Sequence, residues 1–224
     1  MTSRNFKPRR PVHATDEILK TRRKRGSVII LNEGKLFSVK ILETERLILR
    51  EIVETDAEFI LDLLNQPSFI KYIGDRNVRT VEEAKDFIEM RYRASYAQHG
   101  FGLYTVELKI SDSGFRIPDS KIQNPKSKIQ NRAIGMCGFV KRETLPDVDI
   151  GFAFLPQFEK KGYAFESANA VMKYGKDVLS LKRVLAITTQ DNESSGRLLD
   201  KLGFKYDGLL ESGDEKLKLF SINV

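Results

Sequence analysis

The sequence predicts an α/β fold: a mixed, mostly antiparallel twisted sheet of six or seven strands, flanked by about four helices. Segments with the alternation typical of strands fall between segments with helical spacing, in the order β-α-α-β-β-β-α-β-α-β-β. This order places a parallel strand pair near the middle of the sheet. With 224 residues, 41% of them apolar, the chain is long enough to build a sizeable core.

The first elements are a hairpin and a strand. Residues 28–42 favour a hairpin around Asn32-Glu33-Gly34, and the alternation Leu47-Ile48-Leu49-Arg50 indicates a strand over 42–52. Thr55-Asp-Ala-Glu58 has the pattern of a capping box and predicts a helix that stops at Pro67. A second capping box, Thr80-Val-Glu-Glu83, predicts a longer helix that ends at His99 before Gly100.

The later elements alternate between strands and helices. Strands are predicted at 101–109, 133–142 and 147–155, and a polar loop, Gln157–Gly162, follows the last of them. Small residues at helical spacing after Gly162 predict the next helix. A buried strand at 183–189, a short helix at 192–202 and two closing strands at 204–210 and 216–224 complete the order.

The net charge of +7 is concentrated in two segments. Residues 1–40 contain 11 Lys or Arg against three acidic residues, and residues 110–132 contain five against two, so the remainder carries −4. We expect 1–40 to be a basic, disordered arm before a domain at 41–224. The arm has two interpretations: a solvated tail, or a segment that makes weak electrostatic contact with nucleic acid or the ribosome.

Residues 110–132 form an insert that contains a repeat. The sequence Ser-Lys-Ile-Gln-Asn at 120–124 returns at 127–131, and prolines accompany both copies. Because the insert lies between two predicted strands, we interpret it as a polar expansion of a hairpin turn, since lengthening a loop costs little. A partner-binding loop is the alternative.

Composition excludes several classes of protein. No apolar run is long enough for a membrane span or a secretory signal. The single cysteine, Cys137, excludes a disulfide scaffold, and with only two histidines a zinc site is not expected. We therefore expect a cytoplasmic protein with no metal and no membrane contact, and the sequence leaves open whether it is a monomer or a homodimer.

The most informative stretch is the strand at 147–155 with the loop and helix after it. A strand that feeds a loop at a helix N-terminus makes an anion site, because unpaired amides and the helix dipole favour a phosphate there. Gly162 and Ala164 keep side chains out of the approach, and Lys160 and Lys161 add positive charge. An ordinary strand-to-helix turn is the alternative interpretation.

Four segments together resemble the GNAT N-acyltransferase superfamily, in its RimJ/RimL-like branch. They span residues 42–210 and are Glu43-Thr-Glu-Arg-Leu-Ile-Leu-Arg50, the sheet motifs Ile134-Gly-Met-Cys-Gly138 and Asp149-Ile-Gly-Phe-Ala-Phe-Leu-Pro156, the loop Gly162-Tyr-Ala164, and Asp191-Asn-Glu-Ser-Ser195 with Lys201-Leu-Gly-Phe204. The resemblance implies transfer of an acetyl group from acetyl-CoA to a primary amine, on a small molecule or a protein N-terminus, by direct attack in a ternary complex.

The resemblance also assigns roles to residues. The pyrophosphate would rest on the loop residues Lys160, Lys161, Gly162, Tyr163 and Ala164. The pantetheine arm would lie between two splayed parallel strands, at 149–155 and 183–189, bonded to the first strand's backbone up to Phe154 and Leu155. The Phe154 amide would stabilise the developing oxyanion. Asn192 would contact the cofactor arm, and Ser195 would protonate the leaving thiolate.

Two positions depart from the family pattern, and the sequence does not decide which residue is the general base. Glu159 stands where the loop usually has Gln or Arg, and Leu199 stands where many relatives have a tyrosine acid. Asp149 is our candidate base and Asp147 the second choice, against a structural carboxylate at a strand end. The absence of an obvious strong base favours an α-amine or small amine, because a lysine amine is harder to deprotonate at pH 7.

Some residues and functions have two interpretations each. Cys137 fits a core residue better than a nucleophile, and His99 fits a helix-end residue that complements the dipole better than a catalytic group. Tyr72 or Asp75 could meet a cationic amine, or Asp75 could form a turn with Gly74. For the whole chain, the alternatives to catalysis are a non-catalytic acyl-CoA-binding protein and a ribosome- or nucleic-acid-associated protein acting through its arm.

Overall fold

The computed structural model describes residues 28–32, 35–109, 131–213 and 215–224, which contain one nine-stranded sheet. Its order is β1-β2-β3-β4-β5-β6-β7-β9-β8, and neighbours are antiparallel except for the parallel pair β6–β7. The strands are β1 (Val28–Asn32), β2 (Lys35–Glu43), β3 (Leu47–Glu51), β4 (Leu103–Leu108), β5 (Arg132–Val140), β6 (Asp149–Phe154), β7 (Arg183–Thr189), β8 (Lys205–Ser212) and β9 (Glu215–Asn223). The predicted fold class is confirmed.

The sheet has more strands than the predicted six or seven because the hairpin near the N-terminus extends it. β1 and β2 pair with Asn32 opposite Lys35, as predicted for residues 28–42, and β2 continues onto β3. Residues 28–32 and 35–40, which were assigned to the arm, lie in β1 and β2 of the sheet, whereas residues 1–27 of the arm and 110–130 of the insert lie outside the described residues.

Helices cover the sheet on both faces. They are α1 (Ala57–Leu64), α2 (Pro67–Ile73), α3 (Val81–Phe87), α4 (Ala94–His99), α5 (Tyr163–Asp177) and α6 (Glu193–Lys201). A π-helical segment, Ile88–Arg93, joins α3 to α4, so the helix predicted at 80–99 is continuous but contains one wider turn. No helix in the described part of the chain is long and apolar enough to cross a lipid bilayer.

The capping box predicted at Thr55 is wrong. A short 3-10 turn precedes α1, and the Asp56 carboxylate accepts the N–H of Val53 at 2.9 Å. The same carboxylate binds the Arg50 guanidinium through both oxygens, each at 2.7 Å. The half-buried arginine therefore holds Asp56 in place, and this ion pair determines where the helix begins.

Of two further helix starts, one was predicted from a capping box and one was missed. Thr80 accepts the N–H of Glu83 at 3.2 Å, while the Glu83 carboxylate accepts the N–H of Thr80 at 3.1 Å, which confirms the second capping box. The helix predicted to stop at Pro67 ends at Leu64, before the proline, but Pro67 also begins α2, which was not predicted. Proline suits the first turn of a helix because its missing N–H has no intrahelical acceptor there.

Residues of β5 pack against helices on each face of the sheet. Phe139 packs on α5, where a Cβ added to Gly175 would lie 2.5 Å from its ring. On the opposite face the Tyr92 hydroxyl of the π segment donates to the sulfur of Met136 at 3.7 Å. Cys137 is fully buried, and burial raises the pKa of its thiol to about 12, in agreement with the core interpretation.

Candidate functional site

The parallel strands β6 and β7 are paired at one end only. Their single register pair is Asp149 with Leu185, supported by the Leu185 N–H bonded to the Val148 carbonyl at 2.9 Å. Beyond this pair β6 continues to Phe154 and β7 to Thr189 without further pairing between them. The result is a gap that opens toward the C-terminal ends of both strands, as the prediction of a splayed pair required.

The open part of the gap is lined by backbone groups of β6. The Leu155 N–H donates to the Ile134 carbonyl of β5 at 3.0 Å. Because successive residues of a strand direct their N–H groups to opposite sides, the amides of Phe152 and Phe154 point toward β7. Leu155 itself has both backbone groups engaged, since its carbonyl accepts the Phe158 N–H at 2.9 Å.

A buried hydroxyl also lies along the gap. Thr188 belongs to β7, three residues beyond the last residue that pairs with β6. Its side-chain oxygen is buried and has no hydrogen-bond partner among the described residues. Buried hydroxyls nearly always have a partner, so an ordered water or a polar ligand would satisfy this atom.

The polar loop after β6 ends on the N-terminus of α5. Gly162 precedes the helix with φ 84°, and Lys160 has φ 57°, both in the left-handed region. The first bond of α5 runs from the Glu166 N–H to the Gly162 carbonyl at 3.0 Å, so the amides of the three preceding residues have no intrahelical acceptor. No side chain caps this end of the helix. Its amides are therefore available to an anion.

The predicted cofactor residues of this loop lie together. Lys160 and Lys161 are exposed and Tyr163 and Ala164 are half-buried. The ammonium of Lys161 lies 5.6 Å from the ring of Phe158, whose buried side chain anchors the loop. Glu159, the departure from the family pattern, is exposed.

Asn192 and Ser195 form the start of α6. The Asn192 side-chain oxygen accepts the Ser195 N–H at 3.1 Å and so caps the helix. The side-chain amide group of Asn192 remains free to donate elsewhere. Both residues are half-buried and follow the C-terminal end of β7, where the gap opens. Leu199, at the family's tyrosine position, is fully buried and serves the core.

Asp149 lies at the closed end of the gap. Its carboxylate is buried and receives the Arg142 Nε on both oxygens at 3.1 Å. Burial raises the pKa of Asp149, and the charge of Arg142 opposes this without cancelling it. Since Ser195 follows the open end, the two predicted catalytic residues lie toward different ends of the gap.

The second-choice base, Asp147, belongs to a different place. It lines a cavity of about 520 Å³ with His99, Lys141 and Lys182. This cavity adjoins the N-terminal ends of β6 and β7, so it is on the far side from the loop. Asp147 lies 3.6 Å from Arg183, and His99 stacks on Phe101 with ring centroids 5.8 Å apart.

The segment between α2 and α3 is held by local contacts. The Asp75 carboxylate accepts the Asn77 N–H at 2.8 Å and binds the Arg79 guanidinium, which favours the turn interpretation for Asp75. Tyr72 is half-buried, and its hydroxyl accepts a hydrogen bond from Lys71 at 3.2 Å.

Two residues beside the loop were not predicted. Glu166, in the first turn of α5, binds Arg46, which lies 120 residues earlier in the chain. Arg46 belongs to the motif at 43–50, which contributed to the family resemblance without an assigned role. The signal in the sequence was Glu166 itself: an acidic residue in the first turn of an anion-binding helix needs a nearby cation to offset its charge.

Comparisons with known proteins agree with this geometry. The family model described as "Acetyltransferase (GNAT) domain" matches residues 46–205. The chain is similar to "Uncharacterized N-acetyltransferase YoaA" of Bacillus subtilis (strain 168), with 32% identity over 171 residues that cover 76% of this chain and 85% of that protein.

Two solved structures show the same fold at low identity. Microcin C7 self immunity acetyltransferase MccE, in complex with acetyl-CoA and AMP, has a TM-score of 0.60 and 16% identity, over 81% of this chain and 94% of its own. RimL, described as a ribosomal L7/L12 alpha-N-protein acetyltransferase, has a TM-score of 0.64 and 13% identity, over 88% of this chain and 100% of its own.

Proposed function

Because the chain belongs to the GNAT acetyltransferase family, we propose that it transfers an acetyl group from acetyl-CoA to a primary amine. One observation carries the proposal: the gap between β6 and β7 opens toward the uncapped N-terminus of α5. A long ligand with an anionic group near one end and a polar, extended arm would fit this arrangement.

The residues along the gap suit acetyl-CoA. The amides at the start of α5, with Lys160 and Lys161 beside them, would hold the pyrophosphate. The amides of Phe152 and Phe154 and the unpaired hydroxyl of Thr188 offer polar partners for the pantetheine arm. The side-chain amide of Asn192 would donate to the same arm, since its oxygen already caps α6.

The transfer would proceed by direct attack of the amine nitrogen on the thioester carbon. The new C–N bond forms, the C–S bond breaks, the amine loses one proton and the thiolate gains one. The Phe154 amide would donate to the carbonyl oxygen as negative charge develops on it. Ser195 would supply the proton to the sulfur.

Asp149 lies five residues before Phe154 on β6, about 16 Å along the strand, so it would receive the amine proton through a chain of several waters. Burial raises the pKa of Asp149, so this pKa is closer to that of an amine than the pKa of an exposed aspartate is. An α-amine or a small amine, which deprotonates more readily than a lysine, is the acceptor class that such a base suits.

The proposal is tested by thiol release from acetyl-CoA with a panel of amines. RimL is described as acting on a protein N-terminus, so peptides with free α-amines belong in the panel beside polyamines and aminoglycosides. We expect turnover with at least one acceptor, and a loss of about tenfold or more in kcat for Ser195→Ala. The matched control is Ser194→Ala, which removes the same hydroxyl from an exposed neighbour.

Two results would contradict the proposal in different ways. Stabilisation by acetyl-CoA without turnover of any acceptor would indicate a non-catalytic acyl-CoA-binding protein. Equal loss of kcat in Ser194→Ala and Ser195→Ala would remove Ser195 from the mechanism and leave the acetyl transfer itself intact.

A further inference from the structure

The motif at 43–50 contacts the loop that precedes α5. Three side chains from distant parts of the sequence meet there: Thr44, Arg46 and Glu166. The Glu166 carboxylate accepts the Thr44 hydroxyl at 2.5 Å and the Arg46 backbone N–H at 3.0 Å on one oxygen. Its other oxygen accepts Nε of Arg46 at 2.7 Å and Nη2 at 2.6 Å. We call these three residues the loop clamp.

The clamp removes an electrostatic obstacle to anion binding. A carboxylate in the first turn of α5 would repel a pyrophosphate at the helix N-terminus if it stood alone. Burial by itself would raise the pKa of Glu166, but the hydrogen bonds from Thr44 and Arg46 hold that pKa below its usual range. Glu166 is therefore ionised, and the Arg46 charge at direct contact offsets it.

Arg46 also holds the loop itself. Its Nη1 donates to the Lys161 carbonyl at 3.2 Å, and its guanidinium stacks over the Tyr163 ring at 4.6 Å. In a planar trans peptide the carbonyl and the next N–H point in opposite directions. Because the Lys161 carbonyl points at Arg46, the Gly162 N–H points away from it, toward the side that is free to receive an anion.

The backbone at Gly162 fits this contact closely. Its φ of 84° is strained for any residue with a side chain, and an added Cβ would lie 3.3 Å from Nη2 of Arg46. Lys160, two residues earlier, also adopts a positive φ. A loop with two such residues needs contacts that keep it in one conformation.

We propose that Thr44, Arg46 and Glu166 position the loop for the pyrophosphate of acetyl-CoA, and so determine cofactor affinity without taking part in the chemistry. This inference rests on the proposed function, because acetyl-CoA is the ligand in question. The three residues are positioning residues. Arg46 contacts the loop directly, and Glu166 and Thr44 act on the loop by holding Arg46 in place.

The sharpest test is the sign of the Glu166→Gln effect. Simple charge repulsion predicts that removing a negative charge near the loop strengthens acetyl-CoA binding. The clamp predicts the opposite: loss of the charge-assisted bonds to Arg46 loosens the loop, and the KM for acetyl-CoA rises about threefold. A fall in that KM would overturn the proposal.

Arg46→Ala should have the larger effect. We expect its KM for acetyl-CoA to rise about tenfold, with kcat at saturating acetyl-CoA and the KM for the amine nearly unchanged. Arg46→Lys keeps the charge but lacks the forked guanidinium that reaches both Glu166 and Lys161. Its KM for acetyl-CoA should therefore lie between the values of the wild type and of Arg46→Ala. Arg93→Ala is the matched control, because Arg93 binds Glu89 at 2.6 Å in an exposed pair elsewhere.

A readout without substrate separates this proposal from the proposed function. In the free protein, the hydrogen-bonded amides of Glu159 and Glu166, at the two ends of the loop, should exchange faster in Arg46→Ala than in the wild type, while Arg93→Ala leaves their exchange unchanged. Unchanged exchange in Arg46→Ala would overturn the clamp even if the enzyme is active. Faster exchange in a protein that fails to use acetyl-CoA would support the clamp and reject the proposed function.

Discussion

The buried hydroxyl of Thr188 should affect both the stability of the free protein and its affinity for acetyl-CoA. The residue is 8% exposed, and its hydroxyl has no hydrogen-bond partner among the described residues. An unsatisfied buried polar group destabilises a protein by about 1–3 kcal/mol. Thr188→Val keeps the shape of the side chain and removes the hydroxyl, so we expect the free energy of unfolding to rise by about 1 kcal/mol without acetyl-CoA. In a domain of this size the Tm should rise by about 2–4 °C.

The bound protein should respond in the opposite direction. If the hydroxyl bonds the pantetheine arm, Thr188→Val loses one hydrogen bond, and acetyl-CoA affinity should fall by about fivefold. Differential scanning fluorimetry with and without acetyl-CoA measures both effects. The variant should start from a higher Tm and gain less on addition of the ligand.

Thr105→Val is the matched control for this experiment. Thr105 is buried as well, but its hydroxyl donates to the Asp56 carboxylate at 3.3 Å. We expect this variant to lose stability and to keep its response to acetyl-CoA. A lower Tm for Thr188→Val would refute the reasoning, because it would mean that the Thr188 hydroxyl already stabilises the free protein. An unchanged response to acetyl-CoA would show that the hydroxyl does not contact the ligand.

Three further predictions concern the gap and its surroundings. Burial raises the pKa of Asp149, so kcat/KM should fall as pH drops through a value above the ordinary aspartate range, and a pH-rate profile of Asp149→Asn should lack this limb. Cys137 should resist alkylation in the native protein at pH 8 and react once denatured, because burial raises its thiol pKa to about 12; rapid native labelling with loss of activity would contradict this. Gly162→Ala should raise the KM for acetyl-CoA several-fold in steady-state kinetics, since a side chain at φ 84° costs about 1–2 kcal/mol. An unchanged KM would show that acetyl-CoA binding does not require the left-handed backbone at this position.

Local signals in the sequence predicted most of the fold. The Thr80 capping box and the glycine after His99 fixed the ends of the α3–α4 stretch correctly, because each depends on neighbours within four residues. The same kind of motif failed at Thr55. There the next residue, Asp56, is bound by Arg50 in a partly buried ion pair, and this contact outweighs a capping preference worth about 1 kcal/mol.

The candidate site divides in the same way. The loop at 160–164 could be predicted because strand, loop and helix are adjacent in sequence, and Asn192 could be placed because it caps the helix that follows β7. Arg46 could not be assigned a role from local pattern alone, since its partner Glu166 lies 120 residues away. The unsatisfied hydroxyl of Thr188 could not be read from the sequence either, because it depends on which side chains of distant elements pack around it.

The anion site also shows why a carboxylate must be judged by its contacts. In the sequence, Glu159 replaces a neutral or basic residue of the family loop, and a negative charge there would disfavour a bound pyrophosphate. That side chain is exposed, where water screens its charge. Glu166 stands in the first turn of α5, less exposed and closer in sequence to the free amides, and its charge is held by Arg46 at 2.6 Å. If this argument is correct, Glu159→Gln should change the KM for acetyl-CoA less than Glu166→Gln, although both substitutions remove one negative charge from the same loop and helix.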